Sequence, residues 1–209
     1  MHRATPLPDT LLDRPFRVAE ALALGMTPKR LRSNDVWAPY RGVRVRCALE
    51  WTPRLRARSG LLVCPPGTLV TGFDALAVAG LPLPFSEERL LERRLAVAAP
   101  VSTDPFTHDQ LDVEWMPVPQ HLPRVLDEGV LRLEDADLWL RLVLRHHLDL
   151  TASYRGRLGT ALLGRWGGDP GPALTAVERL APALRTAGRA VLAEAVAQPL
   201  AGWAGGQSA

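Results

Sequence analysis

A single lysine, Lys29, stands among the 25 basic side chains of this 209-residue chain. No Glu-x-Lys triplet can therefore be written. That excludes the usual nuclease arrangement in which two carboxylates hold a metal while a lysine assists the nucleophile. Cysteine is nearly as scarce. Cys47 and Cys64 are too few for a disulfide framework or a four-ligand zinc site. No apolar run approaches the roughly 20 residues needed to cross a bilayer. The opening stretch MHRATPLPDTLLDRP also lacks the uninterrupted apolar centre of a signal peptide. The expectation is a soluble cytoplasmic protein with no membrane contact, no cofactor and no metal. With 47% hydrophobic residues, the chain can bury a proper core.

What is present is unevenly distributed. Residues 1–60 hold 12 Lys+Arg against 5 Asp+Glu, whereas the remainder holds 13 against 17. Cationic charge gathered at one end is the footprint of a polyanion binder, although arginine-rich solvated surfaces give the same count. The near-exclusive use of arginine, with much Ala, Leu, Gly and Pro, resembles coding from a GC-rich bacterial genome.

The chain divides into three parts on periodicity and turn signals: 1–50, 51–136 and 137–209. In the first, FRVAEALAL spaces Phe16, Ala19, Leu22 and Ala23 as a short amphipathic helix that Gly25 ends. Thr27-Pro28 then provides an N-cap and a proline at the first helical position, which predicts a second helix over TPKRLRSNDV. Val43 and Val45 alternate with Arg44 and Arg46 behind the Arg41-Gly42 turn, the pattern of a β-hairpin. In the second part, Thr52-Pro53 predicts a capped helix to about Val63, and TGFDALAVAG a short helix ending at Gly80. RRLAVAAP and LDVEWMPV read as strands, with GVLRLED as a third. The third part is helical: Asp137 caps DLWLRLVLRHH, Thr151 caps a helix to about Leu163, and a long helix follows the break WGGDPGP.

Helix, turn, helix and basic hairpin in about 31 residues is the order of a winged helix-turn-helix. The expected fold is therefore α+β, with an N-terminal winged helix-turn-helix, a small α/β region and a helical C-terminus. A recognition helix must bring its N-terminal turns to base edges in the major groove. Here those turns carry Thr27, Lys29, Arg30, Arg32, Ser33 and Asn34, with Leu31 left to anchor the inner side. Tyr40, Arg41, Arg44 and Arg46 would place cations on the wing, beside the backbone or in the minor groove. Such three-helix cores also serve as dimerisation modules.

The stretch PFRVAEALALGMTPKRLRSNDVWAPYRGVRVR resembles the N-terminal domain of AbiEi-type antitoxins, the transcriptional half of type IV toxin–antitoxin systems. Ala21 to Gly25, Lys29-Arg30-Leu31-Arg32 and Arg41-Gly42-Val43 fit that family's pattern, and Arg44 stands where an aromatic is usual. LLVCPPGTLVTGFDALAVAGLPLP is similar to the family's next segment, so the likeness covers about residues 14–84. It implies a transcription regulator rather than an enzyme, with double-stranded DNA as partner and a cognate toxin or a second copy as further partner. The alternative is a module that binds its toxin or another protein directly, without sequence-specific DNA contact. Many actinobacterial relatives carry a restriction-endonuclease-like domain behind this module, which the missing Glu-x-Lys argues against here.

Other chemistry-bearing groupings have bland explanations. Asp135-Ala-Asp137 has a nucleotidyltransferase spacing but lacks the preceding Gly-Ser loop. His146-His147 project about 100° apart on a helix and suit its negative C-terminal end. His108 with Asp104, Asp109 and Asp112 reads as a solvated loop. Trp139, Tyr154 and Trp166 read as packing anchors.

Overall fold

The computed structural model describes residues 5–101, 106–116, 123–146 and 150–186. The class is α+β. A 3-10 turn at Asp9–Leu11 precedes β1 (Phe16–Arg17), α1 (Val18–Ala23), a second 3-10 turn (Arg30–Arg32), β2 (Val36–Trp37) and β3 (Val43–Arg46). The three strands form an antiparallel sheet in the order β1-β3-β2, with Phe16 opposite Arg44 and Val36 opposite Arg46. Residues opposite one another share a sheet face. Arg44 and Arg46 thus lie on the face that carries Phe16 and Val36, which bury with Leu7, Leu11, Ala21 and Leu31 in a small cluster. Val43 and Val45 point the other way and are fully buried.

Two local expectations need correction. Phe16-Arg17 is strand, not helix, and α1 starts only at Val18, whose N–H donates to Gly42 O at 2.8 Å. Gly25, with φ +83°, ends α1 as expected. The predicted second helix is a single turn. Thr27 does cap it, accepting from Arg30 N at 3.2 Å, and Leu31 N reaches Thr27 O at 3.2 Å. The bonds then tighten to Arg32 N–Lys29 O and Ser33 N–Arg30 O, and Ser33 turns extended at ψ 158°. Ser33 and Asp35 offer the backbone and Arg30 competing side-chain bonds, which is how short polar residues stop a helix.

The described residues from Pro53 onward form one body. It contains α2 (Pro53–Leu61), β4 (Leu69–Val70), α3 (Gly72–Val78), α4 (Glu87–Leu91), β5 (Leu95–Pro100), β6 (Leu111–Met116), β7 (Arg124–Asp127), β8 (Val130–Leu133), α5 (Asp135–His146), α6 (Ala152–Arg165) and α7 (Gly171–Thr186). The sheet order is β6-β5-β4-β8-β7; β6 is parallel to β5 and β8 to β4, while β4–β5 and β7–β8 are antiparallel. Thr52 and Thr151 cap α2 and α6 through Leu55 N and Tyr154 N, both at 3.2 Å. α5 begins two residues before Asp137, so Asp137 lies within its first turn instead of capping it.

Carboxylate–guanidinium pairs tie the body's elements together. Arg132 of β8 bonds Asp127 of β7 at 3.0 Å and Asp135 of α5 at 2.7 Å. Arg54 of α2 reaches the same Asp127 at 3.2 Å, and Arg165 of α6 the same Asp135 at 3.0 Å. Arg179 of α7 holds Asp137 at 2.9 Å. Deeper still, Arg56 of α2 pairs with Asp74 of α3 at 2.6 Å, both almost wholly buried. Among the described residues, no helix is long and apolar enough to cross a membrane.

Candidate nucleic-acid interface

The turn after α1 and the strand β3 meet through one bond: Arg44 Nε donates to Leu31 O at 2.9 Å. The turn holds the exposed Lys29 and Arg32, two residues before and one after Leu31, and the strand holds the half-buried Arg44 and Arg46. Arg44 also donates to Val43 O at 2.8 Å, so its guanidinium is oriented by backbone carbonyls and keeps its charge unneutralised. None of Lys29, Arg32, Arg41, Arg44 and Arg46 has a carboxylate partner among the described residues. Thr27 and Asn34 are exposed and Ser33 is half-buried at the rim of the same turn. Arg41 is exposed but stands apart, on the hairpin loop, beside a cavity of about 550 Å³ shared with Ala38, Tyr40 and Thr107–Gln110.

Two of the ten candidate residues are turned inward. Arg30 is only 8% exposed. Its two terminal nitrogens grip both oxygens of Asp35 at 2.8 and 2.7 Å, one also meets Ser33 Oγ at 2.5 Å, and Nε donates to Thr5 O. This bidentate arrangement is the strong form of a guanidinium–carboxylate contact. It holds the Asp35 carboxyl below the usual carboxylate range. Arg30 thus clamps the backbone at Thr5, the turn and the entry to β2 from inside. The signal for this lay in Ser33 and Asp35, three and five residues downstream.

Tyr40 is likewise turned inward, at 3% exposure. Its ring meets His108 edge-on, with centroids 5.6 Å apart, and a Cβ on Gly60 of α2 would lie 3.3 Å from it. Burial pushes the phenol up to about 12. The hairpin loop is therefore anchored on the body, where Tyr40 and Val43 join the core of Leu95 and Val130. Trp37 of β2 and Trp51 meet edge-on beneath it at 4.6 Å, a contact that sequence reasoning did not reach because fourteen residues separate the pair.

The remaining groups with chemical potential are engaged elsewhere. Asp135 and Asp137 bind arginines, as described, and Trp139 and Tyr154 are buried, the Tyr154 hydroxyl donating to Pro82 O at 2.9 Å. Asp104 and His147 lie outside the described residues, and His108 lies 3.2 Å from Asp109. No group of three or more potential metal ligands occurs among the described residues. Neither protein-family models nor curated proteins give a match to this chain.

Proposed function

We propose that residues 16–46 bind double-stranded DNA in the manner of a small winged helix-turn-helix, and that the protein is an antitoxin-like transcriptional regulator of the AbiEi kind. One observation carries this reading: Arg44 of β3 bonds the Leu31 carbonyl of the turn that holds Lys29 and Arg32, and none of these three, nor Arg46, has a carboxylate partner among the described residues. Cations left unpaired on a contiguous surface attract phosphate and release its counterions. The short capped turn offers Arg32 and Asn34 toward base edges, while Arg44 and Arg46 act as phosphate contacts along the strand. Arg41 extends the charge along the hairpin loop, and Arg30 and Tyr40 shape this surface from beneath it.

Titration of a random-sequence duplex at several salt concentrations tests the reading. Affinity should fall steeply as salt rises, with a log–log slope of about −0.9 for each phosphate neutralised. Absence of duplex binding at low salt would favour the rival reading, in which the basic surface meets a protein.

A further inference from the structure

The strand β7 is an outer strand of the five-stranded sheet. It joins β8 through a two-residue turn, Glu128-Gly129, whose φ values of 44° and 84° are the left-handed pair of a type I′ hairpin. In such a hairpin Asp127 and Val130 form the hydrogen-bonded pair that closes the turn. By alternation, Leu126 opposite Leu131 is then a non-hydrogen-bonded pair. The N–H and C=O of Leu126 therefore point away from β8, to the free edge. No described backbone group outside this hairpin bonds them. The Leu126 side chain is 71% exposed, the most open of the large apolar residues described.

We propose that this edge is a homodimer interface, in which β7 pairs antiparallel with β7 of a second copy about a two-fold axis through Leu126. That register makes Leu126 and the partner's Leu126 a hydrogen-bonded pair, exchanging the outward N–H and C=O groups. Their side chains then lie on the same face, covering one another. Two residues before Leu126 stands Arg124, and two residues after it Glu128 opens the turn, so this register brings each Arg124 to the partner's turn and its oppositely charged Glu128. Arg124 is exposed and has no ion pair among the described residues; Glu128 is 70% exposed, though it also touches Arg54 at 2.5 Å. Charges of opposite sign at equal distances from a central apolar residue are what a two-fold axis requires, because each surface must complement itself. This symmetry is the reason to name a second copy and not a foreign strand. The pairing would join two five-stranded sheets into one of ten. A single short strand on each side places it among the small interfaces, with weak, reversible association. The proposal is independent of the DNA reading.

Sedimentation equilibrium of the full chain over a wide concentration range reads the association. Leu126→Lys sets like charges directly opposite and should weaken dimerisation at least about tenfold, with an unchanged circular dichroism spectrum because the residue is exposed. Arg124→Glu should weaken it less, by placing two acids together. As a second measurement, Leu126→Cys in a Cys47→Ser background should oxidise to a covalent dimer. The Cα atoms of a hydrogen-bonded pair lie about 5.5 Å apart, within disulfide range. Val101→Cys, also on an exposed apolar residue, should cross-link far less. A chain that stays monomeric and cross-links no better at 126 than at 101 overturns the proposal. So does a dimer that Leu126→Lys leaves intact, which would assign association to another surface.

Discussion

Arginine does different work in the two halves of this molecule, and its partners decide which. In the body, Arg54, Arg132, Arg165 and Arg179 each reach a carboxylate on another element, and Arg56 is sealed in with Asp74. These side chains fasten helices to the sheet and to one another, and present little free charge. In the N-terminal lobe, Arg14 and Arg30 are paired with Glu20 and Asp35, but Lys29, Arg32, Arg41, Arg44 and Arg46 have no acid among the described residues. A count of basic residues cannot distinguish a fastener from a contact; the position of the nearest carboxylate can.

The largest effect should come from breaking the deepest fastener. Arg56→Leu leaves Asp74 buried without its cation, and also removes the donor that serves Leu90 O and Arg93 O. Loss of one partner of a buried pair costs about 3–5 kcal/mol, readable as a lower urea midpoint at neutral pH. Burial already pushes the Asp74 carboxyl up to about 6 beside Arg56, so the variant should regain stability as the pH is lowered and that carboxyl takes its proton.

In the lobe, Arg30→Ala and Arg32→Ala should part company although only Leu31 separates them. Arg30→Ala removes the donor to Asp35, Ser33 and Thr5 O, and should lower stability by about 1–3 kcal/mol. Its effect on DNA affinity should be the same for every sequence. Arg32 is exposed and unpaired, so Arg32→Ala should leave the urea midpoint within about 0.5 kcal/mol of the parent. It should instead cost about 1–3 kcal/mol of discrimination at one base position. A destabilised Arg32→Ala would erase the distinction drawn here.

Arg44→Ala with Arg46→Ala should act more gently, weakening binding to all duplexes alike. The salt slope should shrink by about one unit per contact removed. An altered sequence preference with an unchanged slope would count against phosphate contact.

Acid should act on the two halves in opposite directions. The folded Asp74 carboxyl lies above its unfolded value of 3.8, so the folded chain binds that proton more tightly. Its contribution to stability therefore grows as pH falls from about 6 toward 4. Glu20 and Asp35 lie below their ordinary values because Arg14 and Arg30 hold them ionised. Their contribution is complete above the ordinary carboxylate range and is lost as pH falls through their lowered values. Urea midpoints measured at stepped pH, for the parent and for Asp35→Asn, would separate the two trends.

Much of this arrangement could be read from the sequence where local rules are decisive. Thr52-Pro53 and Thr151 cap the helices they promised, and the alternation at Val43 and Val45 buries those two valines. RRLAVAAP holds β5, and LDVEWMPV holds β6, its last two residues lying outside the described residues. What escaped depends on distant approach. β4 has only two residues and is strand because β5 and β8 flank it. Tyr40 looks like a wing residue until Gly60, twenty positions on, makes room for its ring. Arg30 carries the same charge as its neighbour Arg32, and only the fold of Asp35 back onto it shows that it faces inward. Hence the basic region could be located from the sequence, but not which of its cations are free.

The central claim is that DNA meets the unpaired cations of the lobe and not the body. Amide chemical shifts of the isotopically labelled full chain, followed as a random duplex is added at low salt, test this most directly. The account predicts that perturbations concentrate at 27–34 and 41–47, fade on raising salt, and leave 124–137 unmoved. Perturbations centred on the body, or none at a concentration of duplex in large excess, would contradict it.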